Sequence, residues 1–177
     1  MISGIKTIFV VIGQKGSGKS LICSIVEELY GILFLQVEII AREVKKERNV
    51  FDESYHNEVY IQIESQLRRQ LKNCSAVIFE STGLAAQFDM MIDNLKNDFQ
   101  IVSIYIKSDP ELCMERINNR DTDIHINVSD KDVQYINRLV LKKNFNCDYI
   151  IENNGSRDEL IRSVKSIFDK YRIEFSN

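Results

Sequence analysis

The sequence predicts an α/β fold in three layers, with a parallel sheet of five strands between helices on both faces. Three observations carry this. Short runs of β-branched and aromatic residues alternate with longer stretches whose apolar residues recur at helical spacing. The runs are continuously apolar, as expected of strands covered on both faces. The first run leads directly into a glycine-rich turn and then a helical pattern.

The strand candidates are Thr7–Ile12, Ile32–Val37, Ala76–Phe79, Ile101–Ile106 and Tyr149–Ile151. The first helix runs from Ser20 to Tyr30. Val59, Ile63, Leu67 and Leu71 recur every fourth residue, so the spacing predicts a helix over Tyr55–Asn73. Asp109-Pro110-Glu111 starts another helix, with proline at the first position, where its missing N–H is not needed. It ends near Asn119. Ser129 caps a helix reaching about Asn144, and Ser156-Arg157-Asp158-Glu159 forms a capping box for the last one. The stretches that read as loops are Val50–Ser54, Ser81–Ala85 and Arg120–Val128.

Composition narrows the classes of function. The 177 residues suit one domain, with no repeat, linker or low-complexity tract. A net charge of −3 offers no long-range attraction to nucleic acid or to an anionic membrane. Cys23, Cys74, Cys113 and Cys147 are too widely spaced for a zinc site or a disulfide framework and read as free thiols. The apolar run Ile8–Ile12 is too short for a signal-peptide core and stops at Gly13. The expectation is a cytoplasmic chain with no membrane span, a monomer or homodimer.

Residues 13–20, GQKGSGKS, fit the pattern G-x-x-x-x-G-K-[ST] through Gly13, Gly18, Lys19 and Ser20. Triphosphate oxygens need many donors at close range. Glycines let successive backbone N–H groups converge on them, and the following helix adds its unpaired N–H groups and positive dipole end. Lys19 would bridge the β- and γ-phosphates of ATP, and the Ser20 hydroxyl would hold Mg²⁺. Gly13, Lys15, Gly16, Ser17, Gly18, Lys19 and Ser20 are the expected nucleotide contacts. Lys15 reads equally as a solvated loop lysine.

Phosphoryl transfer also needs charge neutralisation and an oriented nucleophile. Glu38 and Glu80 each follow a strand candidate. Either could align an acceptor hydroxyl, accept its proton or hold a magnesium-bound water; a dyad sharing these roles is the working expectation. Arg116 and Arg120, four apart, would share a helix face and clamp the migrating phosphoryl group. Arg42, one turn beyond Glu38, could hold an anionic acceptor. Ser81, Thr82 and Gly83 form a small-residue turn suited to passing close to a ligand, and His125 falls in the segment IHINV as a possible acceptor contact.

GQKGSGKS, VEIIAREV, VIFESTG and ELCMERINNRD, in that order, resemble the P-loop small-molecule kinases, a group that includes adenylate, shikimate, gluconate and dephospho-CoA kinases. Glu38 to Val44 and Cys147 to Ser156 look most like dephospho-CoA kinase, although that family has Asp where this chain has Glu38. The middle is more similar to kinases of nucleosides, antibiotics or other small alcohols. The resemblance implies the P-loop NTPase fold with strand order 2-3-1-4-5 and a mobile lid at about residues 116–130. It also implies that Arg116 and Arg120 act on ATP.

The expected activity is transfer of the γ-phosphoryl of ATP to a hydroxyl or phosphate of a small acceptor, a nucleoside, nucleotide or similar molecule. Dephospho-CoA is the alternative acceptor. A nucleotide-binding switch or regulatory ATPase is the alternative from another class. The switch would carry an N-K-x-D motif, which this chain lacks. The regulatory ATPase would end a strand with an acidic pair, whereas Glu80 stands alone.

Overall fold

A computed structural model describes residues 5–45, 49, 51–119 and 128–171. The elements in chain order are β1 (Thr7–Gly13), α1 (Lys19–Tyr30), β2 (Leu33–Leu35), α2 (Val37–Lys45), α3 (Glu53–Gln70), β3 (Ala76–Ser81), α4 (Ala86–Leu95), β4 (Gln100–Lys107), α5 (Pro110–Asn118), α6 (Asp130–Lys142), β5 (Tyr149–Glu152) and α7 (Arg157–Phe168). The strands form one sheet in the order β2-β3-β1-β4-β5, and the β1–β3, β1–β4, β2–β3 and β4–β5 pairings are all parallel. This is the predicted fold class and the predicted order.

Every residue of β1 is buried, which explains its unbroken apolar run. Its side chains still alternate between faces. Phe9 and Val11 pack with Ile22 and Val26 of α1 and with Leu160, Val164 and Phe168 of α7. Ile8, Val10 and Ile12 pack with Ile40 of α2, Val59 and Ile63 of α3, and Phe88 and Leu95 of α4. The two cores hold the sheet from opposite sides. The C-terminal end of β1 therefore lies between β3 and β4, where the connections reverse direction; such an end is the usual ligand crevice of an open α/β sheet.

The second strand is shorter than predicted. It ends at Leu35, and Val37 already begins α2. Ile40 and Val44 bury one face of that helix, and Glu38 sits in its first turn, where a carboxylate suits the dipole. Glu38 is thus a helix-start residue, not a strand-end one. α4 adds a helix that the sequence reading left unassigned, burying Phe88, Met91, Ile92 and Leu95 at i, i+3, i+4 and i+7.

Helix ends follow local chemistry. Asp52 caps α3 by accepting from Ser54 N at 2.8 Å, and Ser129 caps α6 by accepting from Asp132 N at 3.2 Å. Gly31, at φ 66°, closes α1 in the left-handed conformation that glycine adopts without strain. The capping box at α7 is complete: Ser156 Oγ accepts from Glu159 N at 3.3 Å, and Glu159 Oε2 accepts from Ser156 N at 2.7 Å. All four cysteines are free thiols. Among the described residues no helix is long and apolar enough to cross a membrane.

The box gives a stability test. Ser156→Ala should cost about 1 kcal/mol, seen as a lower urea midpoint at unchanged slope. An unmoved midpoint would show that packing alone fixes the start of α7.

Candidate active site at the end of the first strand

Between β1 and α1 the chain turns through residues 14–18. Gly16 at φ 81° and Gly18 at φ 92° occupy the left-handed region, which side-chain-bearing residues rarely enter. Space is as restrictive as conformation. A Cβ on Gly16 would collide with the Cys113 carbonyl of α5, and one on Gly18 with the Asn153 amide. Gly18 is the N-cap of α1 and supplies no side-chain hydrogen bond, and no acidic residue stands in the first turn. The positive end of α1 is therefore left to the turn in front of it.

The turn is fastened from behind by two buried asparagines. Asn137, on α6, accepts from Lys15 N at 2.8 Å and donates to Lys15 O at 3.0 Å. Asn153, just after β5, donates to Ser17 O at 2.8 Å. The Asn153 carbonyl accepts from Arg116 Nη2 at 3.0 Å and from Ser108 Oγ at 3.1 Å. Side-chain amides 122 and 136 residues away in sequence thus fix the loop. Neither asparagine was singled out in the sequence. Asn137 did leave a trace, as a polar residue between Val133 and Val140 on the buried stripe of α6.

Lys19 is buried at the start of α1 and donates from Nζ to Gln14 O at 2.7 Å. Burial pushes its ammonium below the ordinary lysine range. The carboxylate of Glu80, then the thiols of Cys113 and Cys23 and the carboxylate of Glu38, pull it back up. Next to it, Ser20 Oγ donates to Glu80 Oε1 at 2.6 Å. Arg116, near the end of α5, brings a guanidinium whose Nη1 is buried with no hydrogen-bond partner among the described residues.

These groups stand at one end of a cavity of about 850 Å³. Lys15, Gly16, Gly18, Lys19, Ser20, Glu80 and Arg116 form the polar end. Val37, Glu38 and Ala41 of α2 form one side, and Ser81 and Thr82 extend the end of β3. Aromatic and aliphatic residues of α3 and α6 form much of the remainder, with Tyr55, His56, Tyr60 and Tyr135 among them. Glu38 and Glu80 therefore do share one site with Lys19, as the sequence suggested.

Other expected contacts stand elsewhere. Arg42 is exposed and off the cavity wall, because α2 turns Val37, Glu38 and Ala41 inward and carries the next residue round by about 100°. Ser17 is fully buried, with its carbonyl held by Asn153 and its amide by Gln14 O at 3.2 Å, so it braces the loop rather than lining the cavity. Gly13 belongs to β1, where a Cβ would stand 2.8 Å from Ile106 O; its role is close strand packing. Gly83, at φ 68°, packs against Phe145, and its carbonyl accepts from Lys143 Nζ at 2.6 Å, which fixes the turn behind Ser81 and Thr82. Arg120 and His125 lie outside the described residues, as does most of the expected lid.

The family model described as AAA domain matches residues 9–137. No curated protein matches the chain. Several solved structures do. An unliganded sugar kinase from Janibacter sp. aligns with TM-score 0.71 at 10% identity over 98% of this chain and 100% of that one. A gluconokinase from Sinorhizobium meliloti aligns with TM-score 0.68 at 14% identity, over 96% and 95% of the two chains. The Mycobacterium tuberculosis APS kinase, in complex with AMPPNP and APS, aligns with TM-score 0.64 at 14% identity, over 93% and 96%. These are P-loop small-molecule kinases, and this chain has their fold; at such identities the likeness is one of fold.

Replacing Asn137 tests the fastening of the loop. Asn137→Ala leaves both backbone groups of Lys15 without their side-chain partner. We expect a loss of about 1–3 kcal/mol in urea unfolding and weaker nucleotide binding by titration. Full stability with unchanged nucleotide affinity would show that the loop holds its shape without α6.

Proposed function

The chain belongs to the AAA domain family, and we propose from that premise that it is an ATP-dependent phosphotransferase acting on a small molecule. The single observation that carries the proposal is the Ser20–Glu80 hydrogen bond of 2.6 Å, set beside buried Lys19 in a cavity of about 850 Å³, which leaves room for a second substrate. A switch protein needs the cradle but not the second chamber. In this reading the chain is one kinase unit with a lid region at about residues 116–130, in which Arg116 and Arg120 would act on ATP and His125 would touch the acceptor.

A hydroxyl and a carboxylate oxygen in contact are a hard-donor pair, which fits Mg²⁺. Ser20 would bind the ion directly and Glu80 through a water, and the bound ion would neutralise charge on the β- and γ-phosphates. The amides of Gly16, Gly18, Lys19 and Ser20, with the α1 dipole, would hold the phosphates, since those of Lys15 and Ser17 are engaged by Asn137 and Gln14. Lys19, and Arg116 through its second guanidinium nitrogen, would neutralise the negative charge that develops as the phosphoryl group migrates.

This arrangement divides the two acids. Glu80 accepts from the Ser20 hydroxyl at the phosphate end, and Glu38 lines the same cavity from the start of α2, next to the apolar wall of α3 and close enough for its charge to act on Lys19. We therefore assign Glu38 to orient the acceptor hydroxyl and take its proton. The acceptor is a hydroxyl- or phosphate-bearing molecule of nucleoside or nucleotide size. The four free thiols suit a reducing cytoplasm.

Three variants test the assignment with labelled ATP. Lys19→Ala should lower transfer by at least about 100-fold. Glu80→Gln should raise the Mg²⁺ concentration needed for half-maximal rate, while Glu38→Gln should lower kcat at unchanged Mg²⁺ dependence. Full activity of Lys19→Ala would remove the cradle from catalysis, and exchanged metal profiles of the two acids would reverse their roles.

A further inference from the structure

The charges in the cavity are unevenly placed. Lys15, Lys19 and Arg116, the lysines and arginine that line it among the described residues, all stand at the phosphate end. Beyond Glu38 the wall changes character. Tyr55, Val59 and Ile63 recur every fourth residue along α3 and present one apolar stripe. Ile136 and Leu139 of α6 line the same cavity. At the outer end the rings of Phe51 and Tyr135 meet edge-on, with centroids 6.5 Å apart.

The polar groups of this far chamber are few and mostly neutral. Tyr55 Oη donates to Ala41 O at 3.3 Å, and Tyr60 Oη lies 3.5 Å from Ser81 Oγ. Thr82 adds a hydroxyl and His56 an imidazole. The anionic group there is Glu38. Among the described residues this chamber offers a carboxylate or phosphate on the acceptor no guanidinium or ammonium in return for lost water, and the charge it would meet is that of Glu38. A flat uncharged ring meets tyrosine and phenylalanine faces and edges instead.

We propose that the acceptor is an uncharged, ring-bearing alcohol of nucleoside size, and that acceptors carrying a carboxylate or phosphate are discriminated against. This deepens the phosphotransferase reading and rests on it. Transfer breaks the bond between the γ-phosphorus and the β–γ bridging oxygen of ATP. A new bond forms from that phosphorus to the acceptor oxygen, the hydroxyl proton passes to Glu38, and ADP leaves.

Matched pairs test this on the whole chain with labelled ATP and Mg²⁺. Each nucleoside is compared with its 5′-monophosphate, and each aryl alcohol with its ring-carboxylated analogue; dephospho-CoA is added as a further anion. Thermal shift of the Mg·ADP complex reads binding in parallel. The neutral member should have a kcat/KM about 100-fold or more above its charged partner, and should stabilise the complex where the partner does not. The proposal is overturned if a charged member equals or exceeds its neutral partner, or if no neutral member is either phosphorylated or bound by protein that binds ATP. Failure to bind ATP at all, or ATP binding untouched by Lys19→Ala, strikes the phosphotransferase reading instead.

Discussion

A turn whose amides must converge on one point cannot hold itself in that shape. Convergent N–H groups repel one another, and the turn has no ladder of its own to restrain it. In this chain the restraint comes from two side-chain amides reaching in from distant elements. Asn137 pairs with both backbone groups of Lys15, and Asn153 pairs with Ser17. The rest of the site depends on this fastening. Asn153 leaves Gly18 no room for a side chain, as the Cys113 carbonyl of α5 does for Gly16, and the two asparagines tie the loop to α6 and to the end of β5.

The same fastening has an electrostatic consequence. Because the loop closes over the start of α1, Lys19 is buried where burial works against its charge and two carboxylates work for it. A lysine held this way is a localised positive charge in a low-dielectric setting, where it acts on a phosphate more strongly than a solvated lysine would. Arg116 is arranged similarly, with one nitrogen on the Asn153 carbonyl and the other buried. Asn153 therefore links loop and arginine through one residue.

Much of this architecture was legible in the sequence, and the reason is locality. GQKGSGKS is contiguous, so its spacing carries its geometry, and the buried strands announce themselves because both faces are covered. The helix caps at Ser129 and Ser156 were readable for the same reason. What escaped depends on contacts between elements far apart in the chain. Asn137 and Asn153 look like ordinary polar residues until α6 and β5 are placed behind the loop. Arg42 looked well placed from Glu38 alone, but the rotation of α2 against the sheet decides which side chains face inward. Ser17 stands within the motif yet points into the protein. The apolar chamber is invisible in sequence because Tyr55 and Tyr135 come from helices far apart in the chain that line one cavity only in the fold.

The central claim is that residues 14–20 receive the phosphates of a nucleotide, and amide hydrogen exchange reads those amides directly. With Mg²⁺ and a non-hydrolysable ATP analogue, exchange in peptides spanning residues 14–20 should slow markedly, together with the segment around Asn137 that braces them. Unchanged exchange in that loop under saturating analogue, with protection confined to other parts of the chain, would contradict the account.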